Sequence, residues 1–215
     1  MIENYFQPVI EEFTQGKFFS EVQKAREEFF SKTGKINEDD KFFENRMSLF
    51  LDWYIFDRKM SGTPHTPMKT FYIRNKDKLS EENLKIYRGM ANHIHSIFTI
   101  TTFKGNFAQV LDLASQKTYL VNPGSISMRL SISIGDIFEG RIFPVDKEWW
   151  FTSGFCFHPK EVKKFILDEI KKSMLGELHE KKELILNLAG MRLKYERYHH
   201  IQPEKIYVRT KVAKA

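Results

Sequence analysis

The stretch that most limits how this chain can fold is IGDIFEGRIFPVDKEWWFTSGFCFHP, residues 134–159. It reads as two strands joined at Asp146-Lys147. In the strand 137–145, Phe138 and Ile142 point one way, and Ile137, Phe143 and Val145 point the other. In the next strand Trp150 opposes Trp149, Phe151, Phe155 and Phe157. An antiparallel sheet ordinarily keeps one side in water. Two apolar sides therefore imply that one fills a barrel while the other lies under helices.

Both partners of that arrangement are visible. Five short β-rich runs occupy residues 96–157: SIFTITTF, FAQVLDLA, KTYLVN, DIFEGRIFPV and EWWFTSGFCF. Turn residues separate them at Lys104-Gly105-Asn106, Ser115-Gln116-Lys117 and Asn122-Pro123-Gly124. Gly140 and Gly154 fall inside strands, where glycine marks a bend. This pattern predicts a small five-stranded antiparallel β-barrel or coiled sheet.

The first third predicts helices. FFSEVQKAREEFFSK sets Phe18, Phe19, Val22, Ala25, Phe29 and Phe30 along one side, and Gly34 stops it. Asn37 is placed to cap the next helix, which is apolar nearly all round from Met47 to Phe56. Residues 58–67 form a loop. Thr66-Pro67 starts a short helix, and Ser80 caps another. After His158, Pro159 opens a helix, and a second covers about residues 177–198. The expected fold class is α+β. N-terminal helices (1–95) pack on the barrel (96–158), C-terminal helices (159–198) complete one integrated domain, and 199–215 form a basic tail. The phenylalanines of residues 17–57 are the expected cover for the barrel.

Charge narrows the partners. The net +6 is not spread evenly. Residues 1–95 hold 15 basic and 15 acidic groups, 96–158 hold five of each, and 159–215 hold 14 basic against 8 acidic. Attraction to a polyanion belongs to the C-terminal quarter. There Arg192, Lys194, Tyr195, Arg197, Tyr198, His199, His200, Arg209 and Lys211 interleave aromatic and basic groups, which suits RNA or single-stranded DNA. The bland reading is a solvated helix end. The neutral barrel lacks the positive groove of a strand-reading barrel. The expected function is thus a non-enzymatic binding or adaptor protein with a protein partner, and nucleic-acid binding through the C-terminal segment is the alternative.

Other chemistry is sparsely signalled. Asp52 and Asp57 lie in or beside an apolar run, and a buried carboxylate needs a partner. An ion pair with Arg46, Arg58 or Arg88 is the structural reading, and a general acid or base the catalytic one. His93 and His95, with Cys156 and His158, could supply four zinc ligands. More simply, Cys156 is a core residue and the histidines are polar edges, so no metal is expected. GxxxxGK[ST], GxGxxG, HExxH and GxSxG are absent, and no cofactor or enzymatic activity is expected. The lone cysteine fits the cytoplasm. The start MIENYFQPVIEEF has no basic or apolar run, so no secretory signal is expected, and no segment reaches the ~20 apolar residues of a spanning helix.

FLDWYIFDR, then TP-x-x-x-F, then GDIFEGRIFPV and an aromatic strand ending in SG together resemble a bacterial family of uncharacterised proteins. Regions of that family also occur joined to cysteine-rich SEC-C metal knuckles. The resemblance spans roughly residues 47–158. With one cysteine this chain has no such knuckle, and the resemblance implies no catalytic residue.

Overall fold

The computed structural model describes residues 2–174 and 178–209. The N-terminal layer contains α1 (Gln7–Thr14), α2 (Phe19–Thr33), α3 (Phe43–Asp52), α4 (Pro67–Asn75) and α5 (Glu81–Met90). Local chemistry sets three of their ends. Thr66 Oγ1 accepts the Lys69 N–H at 3.2 Å, and Ser80 Oγ accepts the Asn83 N–H at 3.3 Å. Gly34 ends α2 at φ 97°, a conformation that glycine adopts without strain.

Two helical expectations are corrected. Asn37 does not cap α3, which starts six residues later at Phe43. The Asp40 carboxylate takes the Asn37 N–H and binds Arg197, so residues 37–42 are used as a turn that ties down the C-terminal helix. Phe19 also lies outside the apolar side of α2, and its ring is exposed.

The strands are β1 (Ile94–Lys104), β2 (Phe107–Asp112), β3 (Thr118–Asn122), β4 (Ile137–Val145), β5 (Glu148–Phe151) and β6 (Cys156–His158). The order β1-β2-β3-β5-β4 closes when β4 pairs back onto β1. β1 serves both neighbours. Ile94–Thr99 pair with β4, and Phe98–Lys104 pair with β2 across a bulge between Ile100 and Thr102. Such a bulge bends the strand and lets it turn the corner. The barrel is mixed rather than purely antiparallel, because β3 runs parallel to β5 at Val121↔Trp149 and Asn122↔Trp150. A short helix that the sequence reading missed, α6 (Ile126–Ser131), links β3 to β4. This connectivity is that of the five-stranded OB barrel. β6 continues the line of β5 along β4 after a break at 152–155.

The barrel is filled by Phe98, Ile100, Val110, Val121, Phe138, Ile142, Phe151 and Phe155. Its outer side is covered, but by two groups of helices rather than one. Phe143, with Val145 and Trp150 beside it, packs into the N-terminal layer, where the Phe6 and Phe143 ring centroids are 6.3 Å apart. Ile97 and Ile137 instead lie under α7 (Lys163–Ser173) and α8 (Leu178–Arg197), against Ile166, Ile170, Ile185 and Leu188. The phenylalanines of residues 17–57 supply only part of the roof.

The beginning of the basic tail is ordered. α9 (Pro203–Ile206) packs beside α8, with Ile206 and Tyr207 buried. Among the described residues, no helix is long and apolar enough to cross a membrane.

Candidate functional site

Between the two apolar patches on the outer side of the barrel lies a row of buried ionisable groups. β4 alternates strictly, so the outward positions between Ile137 and Phe143 are Glu139 and Arg141. Both are buried, and the Arg141 side chain is fully enclosed. β1 adds His95 directly opposite Arg141.

The helical layer supplies two carboxylates. After α3 the chain widens into a π turn, Trp53–Asp57, closed by the Arg58 N–H on the Trp53 carbonyl at 3.0 Å. Residues five apart in an α-helix point about 140° away from each other. The extra residue in this turn brings Asp52 and Asp57 toward one side. That is why both reach Arg141.

Asp57 Oδ2 accepts from Arg141 Nε at 2.7 Å and also from Nη2. Its Oδ1 faces His93 Nε2 at 3.1 Å and His95 Nδ1 at 3.2 Å. Glu139 Oε1 faces His95 Nε2 at 3.0 Å. Asp52 Oδ2 accepts the Gly154 N–H at 2.9 Å and lies 3.8 Å from Arg141 Nη1. A Cβ on residue 154 would stand 2.7 Å from that oxygen, so glycine permits the approach. The Met90 backbone carbonyl closes the set, 3.1 Å from His93 Nδ1.

Burial and charge pull these groups apart. Burial opposes ionisation of Asp57, but Arg141 and His95 hold its carboxyl well below the usual range. Glu139 is held low against burial by His95 and then Arg141. For Asp52 burial prevails over Arg141 and raises its carboxyl. Neighbouring carboxylates are thus pulled in opposite directions, Asp52 upward and Asp57 and Glu139 downward.

The predicted partners of Asp52 and Asp57 are corrected here. Arg46 is buried elsewhere, donating to the carbonyls of Thr33 and Ala189, each at 3.1 Å. Arg58 pairs with Glu21 and Glu28, and Arg88 reaches the Tyr72 hydroxyl. The partner is Arg141, which sequence reading passed over. Its signal was present: Glu139 and Arg141 are charges at the centre of a strand whose other outward residues are apolar.

The four weak metal candidates are not brought together. His93 and His95 are bound to Asp57. Cys156 and His158 lie on the outer side of β6, where the His158 Nδ1 and the Tyr207 hydroxyl are 3.0 Å apart. Burial pushes the Cys156 thiol up and the His158 ring down to about 4. Among the described residues, no group of three or more His, Cys, Asp or Glu is placed to hold a metal ion.

The C-terminal candidates divide in two. Arg192 holds Glu196 at 2.9 Å, Arg197 holds Asp40 at 2.8 Å, and Arg209 holds Glu169 at 2.7 Å. Tyr195 is half-buried against the cluster beneath α7 and α8. Lys194, Tyr198, His199 and His200 are exposed, and the Tyr198 and His200 rings meet edge to face at 6.4 Å. Lys211 lies outside the described residues.

No curated protein and no solved structure matches the chain at a significant level. One family model does match, over residues 9–185. That span contains the whole barrel and every member of the Asp52–Asp57–His93–His95–Glu139–Arg141 cluster. The chain therefore belongs to a family of unknown function, DUF7986.

Proposed function

We propose that the protein is a non-enzymatic binding protein whose partner is another protein, taken up at the end of the barrel that α6 closes. One observation carries this reading. Ile132 is 2% exposed and plugs the barrel, while Leu130 and Ile134 on either side are 77% and 58% exposed. The middle residue anchors a short segment that holds two large apolar side chains in water. Clustered exposed apolar groups mark interaction surfaces. Arg129, stacked over Phe103 at 3.3 Å, precedes Leu130, and the exposed Lys160 ammonium lies 3.4 Å from the Ile134 carbonyl, so an apolar partner surface with acidic surroundings fits best. The sealed carboxylate–histidine–arginine cluster adds support, since those groups serve the seam between helices and barrel.

A photo-crosslinker at position 130 should capture one defined protein from the native cell. The same probe at Phe19, an exposed ring in the helical layer, should not. Leu130→Glu with Ile134→Glu should abolish capture while leaving the melting temperature unchanged. Equal capture from both positions, or capture that survives the double substitution, would remove the proposal.

The nucleic-acid alternative has less support, because Arg192, Arg197 and Arg209 already hold carboxylates. It requires RNA or single-stranded DNA to bind near 50 mM salt and release steeply by about 200 mM. It also requires Lys194→Glu with Lys205→Glu to prevent binding. Deleting residues 199–215 is the wrong test, since it removes the buried Ile206 and Tyr207.

A further inference from the structure

Both ring nitrogens of His95 face carboxylate oxygens, and the two carboxylates come from different layers. Nδ1 is 3.2 Å from Asp57 on the π turn, and Nε2 is 3.0 Å from Glu139 on β4. A neutral imidazole has one donor and one acceptor, and only the imidazolium donates at both ends. A neutral ring here would turn a lone pair toward an ionised oxygen in a nearly water-free site. We propose that His95 is a proton-operated latch: its doubly protonated ring ties the helical layer to the barrel, and loss of one proton loosens that seam.

The groups facing the ring are few. Asp57 approaches from the helical layer, with Asp52 behind it across Arg141. Glu139 and Arg141 approach from β4, and His93 lies two residues back, sharing Asp57 Oδ1. Arg141 sits directly opposite His95 across the β1–β4 ladder. Two cations there repel unless the carboxylates between them stay ionised. The latch is therefore a four-member charge alternation spanning the seam. It does not depend on which partner the protein binds.

Burial and Arg141 oppose protonation of His95, while Asp57 and Glu139 outweigh them and raise its titration. The sign follows from the raised value. The latch is fully present below about pH 6.5, the ordinary histidine value, and is lost as pH rises through the folded-state transition. Between those limits the seam should lose about tenfold in protection per pH unit, and above them it should level off.

Hydrogen exchange of the Trp53–Asp57 turn and of β4, corrected for intrinsic rates, tests this across pH 6 to 9. Nitrogen NMR of the His95 ring in the same wild-type protein gives its protonation. Expected are two ring N–H groups at pH 6, and a fall in seam protection that starts near pH 6.5 and levels off at the His95 transition. His95→Gln, neutral at every pH, should lack the pH dependence of the seam. A single N–H on His95 at pH 6 would overturn the proposal. So would seam protection that ignores the His95 transition, or an unchanged pH profile in the variant. If the variant does not fold, the wild-type ring spectrum and the pH at which the exchange profile levels off decide alone.

Discussion

Gly89 of α5 lies so close to Pro144 of β4 that a Cβ added to the glycine would stand 1.8 Å from the proline carbonyl oxygen. The contact is backbone on backbone, so no rotamer change relieves it. Gly89→Ala must push α5 away from the barrel. We expect at least about 3 kcal/mol of destabilisation, the upper part of the range for overpacking. For a chain of this size that is a fall of roughly 6–12 °C in melting temperature, read by calorimetry.

Arg141 compensates three buried carboxylates at once. Arg141→Met should cost about 3–5 kcal/mol, because it leaves uncompensated charge in the interior. Adding Asp57→Asn should recover part of that loss. Urea unfolding of the two single variants and the double variant gives the coupling. Strictly additive losses would mean that the pair does not interact.

His158 should produce an acid limb in the stability profile. Its ring is buried and its titration is pushed down to about 4. The unfolded chain therefore binds a proton that the folded chain refuses, and stability rises with pH between about 4 and 6.5. The shift corresponds to about 3 kcal/mol across that window. Chemical denaturation at closely spaced pH values should show the limb in the wild type, and His158→Gln should flatten it.

Arg46 joins α2 to α8 through two carbonyls. Arg46→Met keeps the apolar stem but leaves the Thr33 and Ala189 oxygens without this donor. We expect a loss of about 2–4 kcal/mol. Hydrogen exchange should show faster opening of the C-terminal half of α8, with the barrel strands less affected.

Much of the fold was legible because its signals are local. Thr66-Pro67 and Ser80 name their helix starts through their own side chains, and the alternation of residues 137–145 assigns each side of β4 correctly. What escaped depends on distant partners. Closure of β4 onto β1 and the two-residue parallel pairing of β3 with β5 leave no mark within either strand. Asp52 and Asp57 stood out as carboxylates in an apolar run. Their true partner was missed because sequence neighbours such as Arg46 and Arg58 are nearer along the chain, whereas Arg141 is nearer only once the barrel has formed. By residue type alone His93, His95, Cys156 and His158 could hold zinc, though a core cysteine and polar-edge histidines are the simpler expectation. In space the His93 and His95 imidazoles turn to Asp57.

The roof shared by early and late helices bears on how the nascent chain emerges. The Phe6 ring meets both Phe56 and Phe143, so the first-made helices leave the ribosome before the surface that shields them has been translated. Until β4 arrives, they present naked aromatic surface to the cell, and a chaperone has something to grip.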